Sequence, residues 1–309
     1  MTDKSVAQQK KQRAEVREHL AHRTAAKYVS NYAAGSPEWL AVREAGIGGS
    51  EVASVMGLSK WQSAYTLWAK KTGREVDSVI YSEPMEWGNR LEPVIIDKFA
   101  DDHPEFKVLR NIGTWHHPER PWQIGNPDAV FETEDGGMGI VEIKTAQYEE
   151  DWADGVPRYY ETQVQWYLQV FGFDTAYVAA LFHGNKYREF EVPANQFVQN
   201  MNLEAVESFR TFVLEDKAPD FDGAKSTLET VRKMNPDIDS SSGVELGDLG
   251  VHYFVAADEA EKANAKKREM AARVLDAMGT AKRGLVEDKW LLSRQSRGQG
   301  VPYLVQKKG

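Results

Sequence analysis

The feature that most constrains this chain is a pair of strand-like segments, residues 126–133 and 139–145, joined by Glu134-Asp135-Gly136-Gly137. The Asp-Gly pair suits a tight hairpin. Side chains two apart on a strand share a face, so in Val141-Glu142-Ile143-Lys144 the carboxylate and the ammonium point one way while Val141 and Ile143 point into a core. A hairpin turning near Asp135-Gly136 brings Asp128 within a residue or two of the position facing Glu142 or Lys144. Two carboxylates converging beside a lysine can chelate a hard divalent cation and leave positions for water and phosphate. Taken singly, a Glu-x-Lys pair on a strand more often reads as a solvated ion pair.

Around this hairpin the pattern is α/β. Residues 7–34 read as a polar helix, without Gly or Pro until Gly35. Ser36-Pro37 opens a second helix, since Ser can cap and Pro at the first helical position loses no needed hydrogen bond. The run Gly46-Ile47-Gly48-Gly49-Ser50 breaks it and starts a third, and further helices are expected near 63–72, 83–100, 159–171 and 195–215. Residues 175–182 and 186–192 read as strands. Turn formers at 235–243 mark a linker, followed by an Ala-, Lys- and Glu-rich helix over 256–278 and a small hairpin from 289–294 and 303–306. The expected organisation is a helical N-terminal extension (1–35), a mixed central sheet flanked by helices (36–234), a linker (235–250) and a basic helix-plus-hairpin appendage (251–309).

The chain has no cysteine, so thiolate metal sites, iron–sulfur clusters and disulfides are excluded, leaving carboxylates, carbonyls and histidines as metal ligands. His103, His116 and His117 lack metal-ligand spacing and read as surface residues. No apolar stretch reaches the length of a membrane span, so a cytoplasmic protein without membrane contact is expected. The formal charge of −9 looks hostile to nucleic acid, but it is unevenly spread: +4 over residues 1–30, −19 over 31–258 and +6 over 259–309. Basic ends on an acidic middle suit DNA-holding extensions around a carboxylate site, and equally a soluble acidic protein with charged helical tails.

The order Gly125-Asn126-Pro127-Asp128, then an apolar-Glu-apolar-Lys strand, is the pattern of the PD-(D/E)xK nuclease core. Trp39-Leu-Ala-Val-Arg43 followed by Gly46-Ile-Gly-Gly-Ser50-Glu51 resembles the opening motif of the YqaJ-like viral recombinase nucleases, the family of lambda exonuclease. The likeness covers roughly residues 36–215. It implies that Arg43 and Ser50 contact a terminal 5′ phosphate, in keeping with a forking guanidinium and a hydroxyl at a helix start. The resemblance of Trp87-Gly-Asn-Arg-Leu-Glu92 to the family's core helix implies Glu92 as a third metal ligand beside Asp128 and Glu142. That of Tyr160-Glu-Thr-Gln163 implies Gln163 close to the active site; read bottom-up, Tyr160, Val164, Tyr167, Leu168 and Phe171 form an apolar stripe.

The resemblance further implies Mg²⁺ as cofactor, with Mn²⁺ able to substitute, and Lys144 orienting or helping to deprotonate the attacking water. The implied reaction digests one strand of linear double-stranded DNA from its 5′ end, leaving a 3′ overhang for a single-strand annealing protein. Relatives form trimeric rings, so a homo-oligomer is expected. The rival readings are a PD-(D/E)xK endonuclease, an iron–sulfur nuclease, against which the missing cysteines count, and a noncatalytic DNA-end binding module.

Overall fold

The computed structural model describes residues 3–33, 35–74 and 82–306. The charges expected at Lys307 and Lys308 lie outside the described residues. Two compact units make up the chain, Met1–Pro236 and Asp237–Gly309.

The first unit begins with α1 (Asp3–Ala21), β1 (Lys27–Ser30), α2 (Pro37–Ala45), β2 (Ile47–Gly48), α3 (Gly49–Val55), α4 (Ala64–Lys71) and α5 (Glu83–Asp102). Four short strands follow: β3 (Lys107–Arg110), β4 (Thr114–His116), β5 (Gln123–Gly125) and β6 (Ala129–Glu132). The unit closes with β7 (Met138–Ala146), α6 (Arg158–Phe171), β8 (Thr175–Phe182), β9 (Lys186–Pro193), α7 (Gln196–Leu214) and α8 (Lys225–Met234).

The main sheet has the order β3-β6-β7-β8-β9 and is antiparallel except between β7 and β8. That one parallel pair requires a crossover, which α6 supplies. A second sheet, β1-β4-β5-β2, was not anticipated from the sequence, because its strands span only two to four residues and carry no readable alternation. The polar helix expected over 7–34 stops at Ala21, and residues 27–30 pair with β4 instead. The residues of β1 find backbone partners in Thr114–His116, a long-range pairing that outweighs local helix propensity.

Helix α6 packs between elements of both sheets and against α3 and α7. It buries nine residues, including Val164, Trp166, Leu168 and Phe171, so it serves as a core element throughout. Each fully buried aliphatic or aromatic side chain of this kind contributes about 1.5–3 kcal/mol of transfer free energy. Helix α5 runs unbroken through Pro93, packs Ile95, Ile96 and Phe99 against the other face of the main sheet, and carries Glu92 toward the β6–β7 hairpin. At Gly139 a Cβ would stand 2.3 Å from the Phe131 ring, so glycine lets that buried phenyl lie flat across β7.

The three histidines are only partly exposed. His103 is mostly buried, stacking on Phe106 and bonding Glu189 and Glu105, while His116 and His117 are half-buried. Among the described residues no helix is long and apolar enough to cross a membrane.

The second unit contains α9 (Asp248–Met278) and an antiparallel sheet β10 (Arg283–Val286), β11 (Lys289–Gln295), β12 (Tyr303–Gln306). The helix starts eight residues earlier than its Ala-rich stretch indicates, and β10 adds a third strand to the expected hairpin. No residue of α9 is buried.

Candidate active site

The register of the hairpin settles which residues face each other. Ala129 pairs with Val141, so Asp128, one residue before β6, stands opposite Glu142. The Asp128 Oδ2 atom accepts the backbone N–H of Ile143 at 2.7 Å, locking the carboxylate onto β7. On β7 the Glu142 side chain is buried, at 3% exposure, and its Oε1 accepts from Lys144 Nζ and from Gln163 Nε2, each at 2.6 Å. Gln163 comes from α6, where Tyr167, one helical turn on, holds the same amide through its hydroxyl at 3.1 Å. Tyr160 lies on the same helix with its ring 4.9 Å from the Lys144 ammonium. The apolar stripe read on α6 is therefore also a polar support for the hairpin, with Tyr160 and Tyr167 contributing rings and hydroxyl together.

The electrostatics follow from this crowding. Burial, and then repulsion from Glu142, push the Asp128 carboxyl well above its usual range despite the nearby Lys144. Burial and the Glu142 charge likewise raise Glu92, which is half-buried. Burial works against the Lys144 ammonium, but the Glu142 and Asp128 charges outweigh it and hold its pKa above that of an ordinary lysine.

These features fit a hard cation. Glu142 Oε2 is buried without any hydrogen-bond partner, a costly arrangement for a carboxylate oxygen unless it has a ligand to hold. Asp128 faces it with one oxygen not engaged by Ile143, and the mutual repulsion is what a divalent ion relieves. Glu92 is near enough to feel the Glu142 charge, yet among the described residues no three acidic or histidine side chains form a ready-made metal cluster.

The second half of the site is built from α2 and the start of α3. Ser36 caps α2, accepting the Trp39 N–H, and Trp39 lies under the Arg43 guanidinium at 4.8 Å. Arg43 donates to Ser50 Oγ at 3.1 Å, so the two residues quoted from the motif meet. Glu51, one residue on, accepts the Gly48 N–H at 2.8 Å. Lys71, from the end of α4, reaches Glu51 and the carbonyls of Arg43 and Gly46. Nothing in its neighbourhood along the sequence marks Lys71, because its partners lie 20 to 28 residues away.

Close packing joins the halves. At Gly49 a Cβ would lie 2.6 Å from the Tyr167 ring and 3.0 Å from the Gln163 carbonyl, so only glycine lets α3 approach α6 this closely. A cavity of about 420 Å³ opens beside Asp128 and Glu92, walled by Trp39, Asn126, Arg13 and Arg110. A small adjoining recess bounded by Arg43, Gly48 and Tyr167 shares Trp39 and Asn126 with it. The structure thus brings Asp128, Glu142, Lys144 and Gln163 into one hydrogen-bonded and electrostatic cluster with Glu92 at its margin, and places Arg43, bonded to Ser50, on the adjoining recess.

Residues 38–174 match the family model of the YqaJ-like viral recombinase domain. Over 259 residues the chain is 29% identical to the uncharacterized protein YqaJ of Bacillus subtilis (strain 168), covering 81% of this chain and 80% of that protein. Among solved structures, the alkaline exonuclease LHK-Exo of Laribacter hongkongensis superposes with a TM-score of 0.50 at 19% identity, over 59% of this chain and 94% of that one. With the hairpin geometry, these matches show a chain similar over residues 38–174 to the YqaJ-like viral recombinase domain and sharing the mixed α/β fold of the alkaline exonuclease.

Proposed function

We propose that this chain is a divalent-metal-dependent deoxyribonuclease, an exonuclease that digests one strand of linear double-stranded DNA from the 5′ end. The observation that carries the reading is the facing pair Asp128 and Glu142, with an unpartnered carboxylate oxygen and Lys144 on the same strand face. Asp128 and Glu142, assisted by Glu92, would hold Mg²⁺ or Mn²⁺. When bound, the ion supplies Lewis-acid polarisation of a phosphodiester and an acidified water.

The chain's own residues have separate tasks. Asp128 is fixed by the Ile143 amide and Glu142 by Gln163, so both carboxylates are preorganised. Lys144, held protonated by those carboxylates, orients water and offsets charge developing on the phosphate. Arg43 and Ser50 take the terminal 5′ phosphate, placing the first diester over the carboxylates. The 3′ overhang left behind suits a single-strand annealing protein as the next partner, and a homo-oligomeric ring suits continuous travel along one duplex.

The test is digestion, with Mg²⁺, of linear duplexes labelled separately at each end. Strand loss from the 5′ end, faster with 5′ phosphate than with 5′ hydroxyl, and survival of closed circles are expected. Arg43→Ala erases most of the phosphate preference. Rapid cutting of closed circles sinks the exonuclease reading in favour of an endonuclease.

A further inference from the structure

We propose that Lys71 is a positioning and charge-setting residue for the Arg43 site, a buried counterion that keeps Glu51 from neutralising the guanidinium meant for phosphate. The proposal rests on the reading of Arg43 and Ser50 as the terminal-phosphate site.

Glu51 lies between two cations. Its carboxylate is 3.4 Å from the Arg43 guanidinium and 3.0 Å from Lys71 Nζ, and it also accepts the Gly48 amide at 2.8 Å. A carboxylate this close to Arg43 is a poor neighbour for an anion site, since an Arg–Glu pair presents no net charge to a phosphate. Within this trio Lys71 changes the balance to two positive charges against one negative. Its side chain is only 5% exposed, whereas that of Arg43 is 30% exposed, so the surplus charge is presented to the cleft through Arg43.

Burial works against the Lys71 ammonium and lowers its pKa although Glu51 opposes this, but it also shields the Lys71–Glu51 contact from the water and salt that weaken a surface pair. All three Lys71 protons are used: on Glu51, on the Arg43 carbonyl at 2.5 Å and on the Gly46 carbonyl at 2.7 Å. The same ammonium thereby pins both ends of the bend that aims Arg43 at Ser50. Burial pushes the Glu51 pKa up, but Lys71 and Arg43 more than reverse it and keep the group ionised.

The experiment is equilibrium binding in EDTA of short duplexes ending in 5′ phosphate or 5′ hydroxyl, which needs no turnover. The reading is the ratio of the two Kd values. Wild type is expected to favour the phosphate. Lys71→Met should shrink that preference by about 10-fold, on the scale of one charge-assisted contact. Lys71→Arg should keep most of it. The double variant Glu51→Gln, Lys71→Met leaves Arg43 with an unopposed charge and should regain preference over Lys71→Met alone, which a purely structural role for Lys71 does not allow. If Lys71→Met does not fold, Lys71→Gln, which retains amide donors for the two carbonyls, carries the same comparison against Lys71→Arg. A wild-type preference that survives unchanged in both neutral variants overturns this proposal alone. A wild type indifferent to the phosphate overturns the terminal-phosphate reading beneath it.

Discussion

Asp128 and Glu142 face each other across the β6–β7 hairpin, one step beyond the last ladder pair, Ala129–Val141, and Asp128 is tied to the strand of its partner by the Ile143 amide. Two carboxylates are thereby held in opposition whether or not anything lies between them. Burial, and then the repulsion from Glu142, hold the Asp128 pKa well above its usual range.

Mg²⁺ or Mn²⁺ should therefore raise the melting temperature of the wild-type protein, since a ligand that binds only the native state stabilises it by mass action. Glu142→Gln should abolish that rise and lower cleavage by at least about 10²-fold, the order expected when electrostatic stabilisation of the transition state is lost. Thermal scans with and without metal, paired with single-turnover assays, check both. Full metal-induced stabilisation in the variant would place the ion elsewhere.

Lys144→Ala should slow the chemical step by roughly 10²-fold or more. Duplex binding in EDTA should change much less, because the ammonium is directed onto Glu142 and is mostly buried. Unchanged single-turnover cleavage would return Lys144 to the role of a structural ion pair.

The basic C-terminal region belongs to the unit Asp237–Gly309, so a truncation after Pro236 removes it without cutting through α9. If that unit contacts phosphates, the truncated protein should bind duplex more weakly and with a shallower dependence on salt, by about 0.9 in log–log slope for each phosphate no longer neutralised. An identical slope in the folded truncation would assign the unit to assembly or to another partner.

His103 gives the fold a pH dependence distant in sequence from the carboxylates. Burial opposes its charge, but hydrogen bonds to Glu189 and Glu105 prevail and raise its pKa above 6.5. A raised folded-state pKa means that the stabilisation is fully present below the unfolded value and is lost as pH rises through the folded one. Urea midpoints of wild type and His103→Asn, measured from pH 6 to pH 9, should converge as pH increases. A gap that widens with pH would refute the assignment.

The hairpin, the two main-sheet strands over 175–182 and 186–192 and the face shared by Glu142 and Lys144 were legible in the sequence, because strand periodicity and a Gly-containing turn are local signals. So was the cap at Ser36, which accepts the Trp39 N–H at the start of α2. The direct opposition of Asp128 and Glu142 needed the register, which a local reading places only to within a residue or two. The second sheet, the early end of α1 and the support given by Tyr167 and Lys71 were decided by tertiary structure alone. Their partners are far away in the chain: β1 pairs with β4 across 84 to 89 residues, and Lys71 acquires meaning only where the Arg43–Gly48 bend meets the end of α4. Local sequence dictates which way a side chain points along its own element; which charge it meets depends on long-range packing that no short window of residues encodes.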